Sequence, residues 1–322
     1  MYAIGLNHYG GPDVLQRVAL PDPHPLPDQV RIKVRAAGIN PVDIMVRDGS
    51  LKDWFAGAQP PFVPGMDISG TIDEMGGGVD PAYGLTVGQD VVGLVDNFGS
   101  YGGYSEYVCL PAASVIPLPE KTPLTAAASF LMNALTARNA LDTLQLTEGT
   151  TVLVTGAAGA VGAYTVALGS KDRLNMVAVT SPSDETFMRT VGASMVIARG
   201  DDIAMRILKA LPQGVDAVVD AADLGEQIIP AVRSGGTVIT LRPGNEDGFE
   251  RGINAIFVNV RERIIDHAAL SRIGQQVSEG VLPLRVAAVF PAADAVAAHR
   301  RFDEGRLRGR IILNFDTTGT SV

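Results

Sequence analysis

Two hydrophobic patterns divide the chain. Up to residue 118, short runs in which apolar and polar residues alternate are separated by Gly and Pro. Alternation with a period of two is typical of half-buried strands, and the Gly and Pro residues mark the turns between them. Many short strands of this kind favour an all-β, barrel-like module. The strands are predicted over 30–38, 68–75, 89–95 and 104–110.

The pattern changes after residue 121. Residues 122–145 carry Ala and Leu at helical spacing, with Thr122 or Thr125 as alternative N-caps. Continuous Val, Ile and Ala runs then alternate with helical segments, as expected when helices cover both faces of a parallel sheet. We therefore predict a doubly wound sheet. Its six strands are expected over 151–156, 175–180, 194–198, 215–221, 236–241 and 255–260, and its helices from about 160 and over 184–191, 202–211 and 225–232.

The last part of the chain mixes both patterns. We predict a helix over 261–279, a strand over 284–290, a helix over 292–304 and a strand over 309–315. This tail is expected to return to the first module and close it. The predicted domains are therefore 1–120, 121–281 and a return segment over 282–322.

Composition narrows the class of protein. A chain of 322 residues with 46% hydrophobic residues exceeds the size of most single cores, so two domains are expected. The net charge is −9 and the basic residues form no stripe, which argues against nucleic-acid binding. No apolar run has the length of a membrane span, the N-terminus MYAIGLNHYGG is unlike a secretory signal, and Cys109 is the only cysteine. We expect a soluble, cytoplasmic protein.

A glycine-rich turn lies between the first strand of the parallel sheet and its helix. In VLVTGAAGAVG (152–162), Gly159 and Gly162 match two positions of the G-x-G-x-x-G fingerprint, and Ala157 replaces the first glycine. Gly159 would let the backbone approach a pyrophosphate, Gly162 would let the helix pack on the strand, and the helix N-terminus attracts an anion. Glycines for packing alone are the alternative, but the position in a six-strand pattern favours dinucleotide binding. The predicted phosphate contacts are Gly159, Ala160 and Val161.

The residues after the second strand bear on the choice between NAD and NADP. In an NAD site an acidic residue about 20 positions after the loop binds the ribose 2′-hydroxyl. In VAVTSPSDE (177–185) hydroxyl side chains come first instead, and Arg189 or Arg199 would supply positive charge for a 2′-phosphate. Asp184 would favour NAD if it points into the site. We expect NADPH rather than NADH. The hydroxyl-bearing residues are Thr180, Ser181 and Ser183.

Seven segments together resemble the medium-chain dehydrogenase/reductase superfamily, and within it the zinc-independent NADPH:quinone oxidoreductase-like branch. The resemblance runs through nearly the whole chain in the right order. It implies a GroES-like β-barrel catalytic domain interrupted by a Rossmann domain, an active site in the cleft between them, and a homodimer formed through the Rossmann domains near 255–260. The segments are GINPVDIMVRDG (38–49), FVPGMDISG (62–70), VGQDVVGLV (87–95), GGYSEYV (102–108), AAGAVG (157–162), RSGGTVITL (233–241) and LRGRIILNF (307–315).

The resemblance also bears on a metal. Alcohol-dehydrogenase relatives place a zinc-binding Cys in the segment that matches 38–43 and Gly-His-Glu where this chain has Gly65-Met66-Asp67. That Cys and that His are absent from this sequence, as are the four closely spaced cysteines of the structural-zinc lobe. The remaining histidines lack metal-ligand spacing. We expect no bound metal, so the acceptor should already be electron-poor, such as a quinone or an α,β-unsaturated carbonyl.

A polar pair, Asn40 and Asp43, lies inside the apolar run 38–49 and matches a polar pair of the family near the nicotinamide. In the functional interpretation Asn40 faces the cofactor or substrate and Asp43 orients it. In the structural interpretation Asp43 caps a short helix over 41–47, Asn40 ties the bend, and Arg47 forms a local ion pair. Both interpretations remain open, and nothing in the sequence indicates a raised pKa for Asp43.

The resemblance implies further site residues. A tyrosine of several quinone reductases is replaced here by Met45, so a tyrosine proton donor is not expected at that position, and Lys52 and Trp54 fall on a loop at the mouth of the cleft. Trp54 would stack on a flat acceptor or simply cover an apolar patch. Arg199 stands where relatives often carry Tyr beside the adenine ribose. The remaining predicted cofactor contacts are Thr136, Ala221, Leu241, Pro243, Phe257, Val258 and Asn259, and Asn40 is included among them.

The predicted function is NADPH-dependent, metal-independent hydride transfer to a quinone or α,β-unsaturated carbonyl. One alternative is an enoyl or imine reductase dedicated to one pathway of specialised metabolism. Another is a protein that binds NADPH but has lost catalysis. The same cofactor site serves all three, so the sequence leaves them open.

Overall fold

The computed structural model describes residues 1–98, 101–244 and 248–316. The chain forms two compact units: the first combines Met1–Met132 with Arg261–Val322, and the second is Asn133–Val260. Relative to the predicted boundaries at 120/121 and 281/282, the chain leaves the first unit later and returns to it earlier. The reason is local packing, because helix α2 (Leu124–Ala127) lies on the sheet of the first unit and so does helix α7 (His267–Ser278).

The first unit is built on a seven-stranded sheet. Its strand order is β14-β15-β3-β4-β5-β7, with β6 also paired to β3. The C-terminal strand β15 pairs antiparallel with β3, Ile312 opposite Gly38, so the tail joins the sheet of the first module. A separate antiparallel pair, β1 and β2, completes the unit. The strands are β1 (Tyr2–Gly5), β2 (Gln16–Ala19), β3 (Gln29–Gly38), β4 (Asp67–Met75), β5 (Asp90–Leu94), β6 (Tyr107–Pro111), β7 (Val115–Pro117), β14 (Val286–Pro291) and β15 (Arg310–Asn314).

The second unit is a six-stranded parallel sheet in the order β10-β9-β8-β11-β12-β13, with helices between most strands. This is the strand order of a doubly wound dinucleotide-binding sheet. Buried Val, Ile, Leu and Ala side chains form one apolar cluster on each face of the sheet. The elements are α3 (Leu131–Leu144), β8 (Thr151–Thr155), α4 (Ala160–Lys171), β9 (Asn175–Thr180), α5 (Glu185–Thr190), β10 (Met195–Ala198), α6 (Ile203–Ala210), β11 (Val215–Asp220), β12 (Val232–Thr240) and β13 (Asn254–Phe257).

Several predicted boundaries were wrong. Neither Thr122 nor Thr125 caps a helix, since α2 begins after Pro123 without a side-chain cap. The helix predicted over 225–232 is two short 3-10 turns, because Pro230 has no N–H to donate and its ring blocks the preceding carbonyl. Helix α7 begins at His267, well inside the predicted 261–279, because the Asp266 carboxylate accepts the Ala269 N–H at 3.1 Å and caps it there.

The remaining helices belong to the first unit. Helix α1 (Pro41–Asp48) follows β3, and helix α8 (Ala295–Asp303) lies between β14 and β15 and packs on both strands. Within residues 1–98, 101–244 and 248–316, each helix is too short or too polar to cross a membrane.

Candidate active site

The segment 38–49 folds as a capped helix. Asn40 is the extended N-cap residue of α1, Pro41 occupies the first turn, and Gly49 ends the helix with a φ of 85°, a backbone angle that favours glycine. The Asp43 carboxylate, at the third helical position, reaches back to accept the backbone N–H of Asn40 at 2.7 Å. This contact is half of a capping box and satisfies an N–H that would otherwise lack a partner inside the protein.

Asp43 is completely buried and its second oxygen is also engaged. The Gly65 backbone N–H donates to Oδ1 at 2.8 Å. Burial raises the pKa of Asp43 from 3.8 to about 7; the N–H groups of Asn40 and Gly65 pull it down, the nearby Asp67 charge raises it, and Arg310 lowers it. A carboxyl group with this pKa exchanges its proton near neutral pH. This shift could not be predicted from the sequence, because it arises from the folded surroundings of the carboxyl group.

A second buried carboxylate, Asp67 at the start of β4, lies beside the first. It accepts the Met132 backbone N–H at 2.9 Å, and Nδ2 of Asn40 donates to its other oxygen at 3.3 Å. Burial raises the pKa of Asp67 to about 6, against the effects of the Met132 N–H, the Arg310 charge and the Asn40 amide. Asn40 therefore joins the two acids, with its backbone on Asp43 and its side chain on Asp67.

Arg310 supplies buried positive charge to this pair. It lies on β15, is 8% exposed, and donates to the Ile39 carbonyl oxygen at 3.3 Å. Its charge lowers the pKa of both acids. We refer to Asn40, Asp43, Asp67 and Arg310 as the acid cluster.

The local ion pair predicted for Arg47 is absent from the described structure. Instead Arg47 donates to Asp303 of α8 at 3.0 Å and to Nδ1 of His299 at 3.3 Å. Arg47 faces the return segment because the face of α1 that carries it is buried, at 4% exposure. The Tyr104 hydroxyl lies 3.2 Å from Nε2 of His299 and 3.4 Å from Oδ2 of Asp43, so it connects this pair to the acid cluster.

Sequence reasoning missed four members of this arrangement: Asp67, Tyr104, His299 and Arg310. Asp67, Tyr104 and Arg310 fall inside segments that carried the family resemblance, and of the three only Asp67 was considered, in the comparison with the zinc ligands. His299 gave no local signal, since its partners Tyr104 and Arg47 lie 195 and 252 residues away in the chain.

The three residues predicted to contact substrate lie near an aromatic cluster of the first unit. Trp54 is 40% exposed and its ring lies 5.1 Å from that of Phe98, which also contacts Phe55 at 5.0 Å. Met45 packs against the same apolar group from α1. Lys52 begins the short turn that carries Trp54, and its side chain is exposed.

A cation lies over these rings. The Arg261 guanidinium is 4.4 Å from the ring centre of Phe98 and 5.6 Å from that of Trp54. Asp96 holds it with two hydrogen bonds of 3.0 and 2.9 Å. The Asp96–Arg261 pair keeps the guanidinium against the two rings, because a guanidinium with two hydrogen bonds to one carboxylate cannot rotate away from them.

In the second unit, the glycine-rich turn has the shape expected of a phosphate loop. Gly156 has a φ of 56°, and Gly159 is the extended N-cap of α4. A Cβ at Gly162 would lie 2.5 Å from the Gly156 carbonyl oxygen, so only glycine fits there. The first turn of α4 contains no acidic side chain, and its N–H groups have no partner within the helix. The loop and the 12-residue helix together fit a pyrophosphate.

At the carboxyl edge of the parallel sheet, the segment after β9 carries hydroxyl side chains and one exposed arginine. The Arg199 backbone donates to the Thr180 carbonyl oxygen at 2.9 Å, which places Arg199 beside the end of β9. Its side chain is exposed and forms no ion pair within the described residues, whereas Arg189 is paired with Glu185 at 2.8 Å. Ser183 donates to Ser181 at 3.2 Å on the exposed surface.

Asp184, which would favour NAD if it faced the site, is 7% exposed. Its Oδ2 lies 3.4 Å from Oγ1 of Thr180.

The other predicted cofactor residues follow strands along the same carboxyl edge of the sheet. Ala221 follows β11, Leu241 and Pro243 follow β12, and β13 ends at Phe257 with Val258 and Asn259 next. Thr136 lies on α3, one turn before Ala140, which packs in the core with Val154.

Two residues that the sequence analysis did not single out form hydrogen bonds to the turns at this edge of the sheet. The Thr155 hydroxyl donates to Asp220 and accepts the Ala222 N–H at 3.0 Å. Asp220 also accepts the Gly225 N–H at 2.9 Å. Together they fix the turns that follow β8 and β11.

Over residues 1–98, 101–244 and 248–316, no group of three or more His, Cys, Asp or Glu side chains is arranged to hold a metal ion. Met66 stands between Gly65 and Asp67 in the segment where alcohol-dehydrogenase relatives carry their histidine ligand. The oxygens of Asp43 and Asp67 accept hydrogen bonds from protein N–H groups. The side chains present in the described structure do not make a zinc site.

Comparison with known proteins identifies the family of the chain. The family model described as "Alcohol dehydrogenase GroES-like domain" matches residues 26–120, and the one described as "Zinc-binding dehydrogenase" matches residues 191–313. The chain is 31% identical over 252 residues to 2-methylene-furan-3-one reductase of Solanum lycopersicum, which covers 75% of this chain and 62% of that protein.

Two other similarities extend over whole chains. The chloroplast envelope quinone oxidoreductase homolog of Arabidopsis thaliana is 26% identical over 328 residues, which is 97% of this chain and 98% of that protein. The structure of the quinone oxidoreductase from Coxiella burnetii superimposes with a TM-score of 0.86 at 28% identity, covering 98% of this chain and 99% of that one. The chain belongs to the medium-chain dehydrogenase/reductase superfamily, in its quinone oxidoreductase-like branch.

Proposed function

We propose that the protein is an NADPH-dependent oxidoreductase that transfers a hydride to a quinone or to an α,β-unsaturated carbonyl. The observation that carries the proposal is the acid cluster. Where alcohol-dehydrogenase relatives hold zinc, Asp43 and Asp67 are hydrogen-bonded to protein donors. Stabilising an alkoxide normally requires a Lewis acid, whereas an electron-poor acceptor needs only orientation and a hydrogen bond.

The second unit supports NADPH as the donor. The loop glycines and the N-terminus of α4 would bind the pyrophosphate. The Ser181 and Ser183 hydroxyls and the exposed Arg199 would bind a 2′-phosphate, while Asp184 is buried against Thr180. When bound, NADPH supplies the hydride, and the residues of this chain hold and orient it.

The first unit would receive the acceptor. Trp54, Phe98 and Met45 present an apolar and aromatic surface that fits a flat, conjugated molecule. The names of the three similar proteins include both acceptor classes, quinones and an exocyclic enone. The proton that completes the reduction would come from solvent, and the acid cluster would hold and orient Asn40.

Oxidation of NADPH by the purified protein, measured with a panel of quinones, enals, enones and simple ketones, tests the proposal. We expect turnover with quinones or conjugated carbonyls and none with simple ketones. Tight NADPH binding without turnover on any member would reject catalysis and leave an NADPH-binding protein. Turnover confined to coenzyme-linked enoyl substrates or to imines would instead indicate a dedicated biosynthetic reductase.

We further propose a homodimer formed through the second unit. Strand β13 is an edge strand of the parallel sheet, and Ile256 on it is 36% exposed. An unpaired edge with exposed apolar side chains favours pairing with a second copy. Sedimentation of the wild type and of Ile256→Lys would test this: a monomeric wild type would reject the proposal, and a dimer disrupted by the lysine would support it.

A further inference from the structure

A chain of side-chain hydrogen bonds runs from the return segment into the acid cluster. Arg47 lies 3.3 Å from Nδ1 of His299, and Nε2 of His299 lies 3.2 Å from the Tyr104 hydroxyl. That hydroxyl lies 3.4 Å from Oδ2 of Asp43. The rings of Tyr104 and His299 meet edge to face at 5.8 Å, so packing holds both in place.

The chemistry of the members fixes the direction of donation along this chain. A guanidinium has only donors, so Nδ1 of His299 must accept from Arg47. In a neutral imidazole the other nitrogen then carries the proton, and Nε2–H donates to the Tyr104 oxygen. Because Tyr104 has a single hydroxyl proton, that proton is left to point at Asp43. Each member can take only one role.

The burial of both rings keeps this arrangement over the working pH range. His299 is 0% exposed, and burial, with the Arg47 charge, lowers its pKa to about 3, so it stays neutral. Tyr104 is also 0% exposed, and burial raises its pKa well above 10, so it keeps its proton. The direction of the hydrogen bonds from Arg47 through His299 to Tyr104 therefore does not change when Asp43 titrates.

We infer that Tyr104 and His299 are positioning residues for the acid cluster: with Arg47 they form a one-way hydrogen-bond chain that stabilises the ionised form of Asp43 and holds the helix N-terminus that carries Asn40. The consequence for catalysis rests on the proposed function. The direction of the chain rests on the geometry alone and can be measured without turnover.

Two other charged groups, Asp67 and Arg310, face Asp43. Asp67 on β4 opposes its ionisation and Arg310 on β15 favours it. Asp303 on α8 pairs with Arg47, so the guanidinium stays charged and cannot release a proton to His299. The chain is therefore a positioning device and does not carry protons from solvent.

Nitrogen-15 NMR of the histidine side chains in the intact protein tests the direction. The sequence contains four histidines, and comparison with His299→Gln identifies the signal of His299. We expect the neutral Nε2–H tautomer throughout the range from about pH 5 to about pH 8, because Nδ1 is occupied by Arg47. The Nδ1–H tautomer, or a titration near the ordinary histidine pKa, would overturn the inference.

Two substitutions of His299 separate positioning from packing. The amide of His299→Gln falls near the Nε2 position and retains a donor for Tyr104, whereas the amide of His299→Asn falls near Nδ1 and retains only the contact with Arg47. We expect His299→Asn and Tyr104→Phe to move the acidic limb of the kcat/KM profile, which for the wild type lies near the Asp43 pKa, upward by about half to one pH unit. His299→Gln should shift it less.

The controls remove the same groups elsewhere. Tyr107→Phe removes a half-buried hydroxyl on β6, and His8→Gln removes an exposed imidazole. Neither should move the limb. If His299→Asn behaves as the wild type while His299→Gln is shifted, the contact with Tyr104 does not act on Asp43 and the inference fails. A wild type without turnover rejects the proposed function, and the tautomer measurement still decides the direction of the chain.

Discussion

Replacing Asp43 by Asn gives a direct measure of the energetic cost of the acid cluster. Burial raises the pKa of Asp43 from 3.8 to about 7. At about 1.4 kcal/mol per pH unit, that difference corresponds to about 4 kcal/mol of unfolding free energy. Asp43 is fully buried, so solvent does not screen this effect. An asparagine side chain resembles the protonated acid in shape and cannot ionise.

The sign follows from proton linkage. Below about pH 4 the carboxyl group is protonated in both the folded and the unfolded state, and the raised pKa has no cost. Between about pH 4 and about pH 7 the unfolded state ionises while the folded state does not, so the stability of the wild type falls. Above about pH 7 Asp43 is ionised in both states, and the stability of the wild type falls no further on its account. We therefore expect the stability of Asp43→Asn relative to the wild type to rise by about 4 kcal/mol between about pH 4 and about pH 8. Its amide nitrogen must face the N–H of Asn40 or Gly65, which lowers its stability by the same amount at every pH.

Urea unfolding followed by tryptophan fluorescence measures this difference. Trp54 is the only tryptophan and lies in the same unit as Asp43, so the signal reports unfolding of that unit. Asp67, whose pKa is raised to about 6, keeps part of the pH dependence in the variant. Asp201→Asn, at an exposed position, is the control and should leave the pH profile unchanged. Parallel profiles for Asp43→Asn and the wild type would refute the argument, and a less stable variant near pH 8 would show that hydrogen bonds outweigh burial.

Four further substitutions test the two sites separately. Arg199→Ala should raise the KM for NADPH by about tenfold and leave that for NADH nearly unchanged, because a charged hydrogen bond to the 2′-phosphate is lost; equal effects in steady-state kinetics would remove it from the phosphate site. Gly162→Ala should destabilise the protein by about 1–3 kcal/mol in thermal unfolding, because its Cβ would lie 2.5 Å from the Gly156 carbonyl oxygen. In Gly159→Ala the Cβ would lie 3.1 Å from the same oxygen, so this variant should mainly weaken NADPH binding in titrations. Trp54→Ala should raise the KM for a quinone by about three- to tenfold without changing that for NADPH; an unchanged quinone KM would assign Trp54 to packing alone.

The parallel sheet and the phosphate loop could be predicted from the sequence because their signals are local. Continuous apolar runs mark the buried strands, and the spacing of Gly159 and Gly162 follows from close packing at one turn. Asn40 and Asp43 were recognised as a polar pair for the same reason, since the cap of α1 is formed within three residues. Patterns of this length need no knowledge of the tertiary structure.

The surroundings of that pair could not be predicted. The raised pKa of Asp43 depends on its complete burial and on Asp67, and the partners of Arg47 come from the return segment, 252 and 256 residues away. A single sequence contains no measure of such distant contacts. The expectation of a local ion pair for Arg47 failed because the buried face of α1 turns it toward α8.

The central claim is hydride transfer from NADPH to an electron-poor acceptor. It is tested most directly with NADPH that carries deuterium at both C4 positions and an α,β-unsaturated ketone as acceptor, followed by mass spectrometry of the product. We predict a saturated ketone with one deuterium at the β carbon. A reduced product without deuterium, or failure to reduce both this ketone and a quinone while NADPH remains bound, would contradict the account.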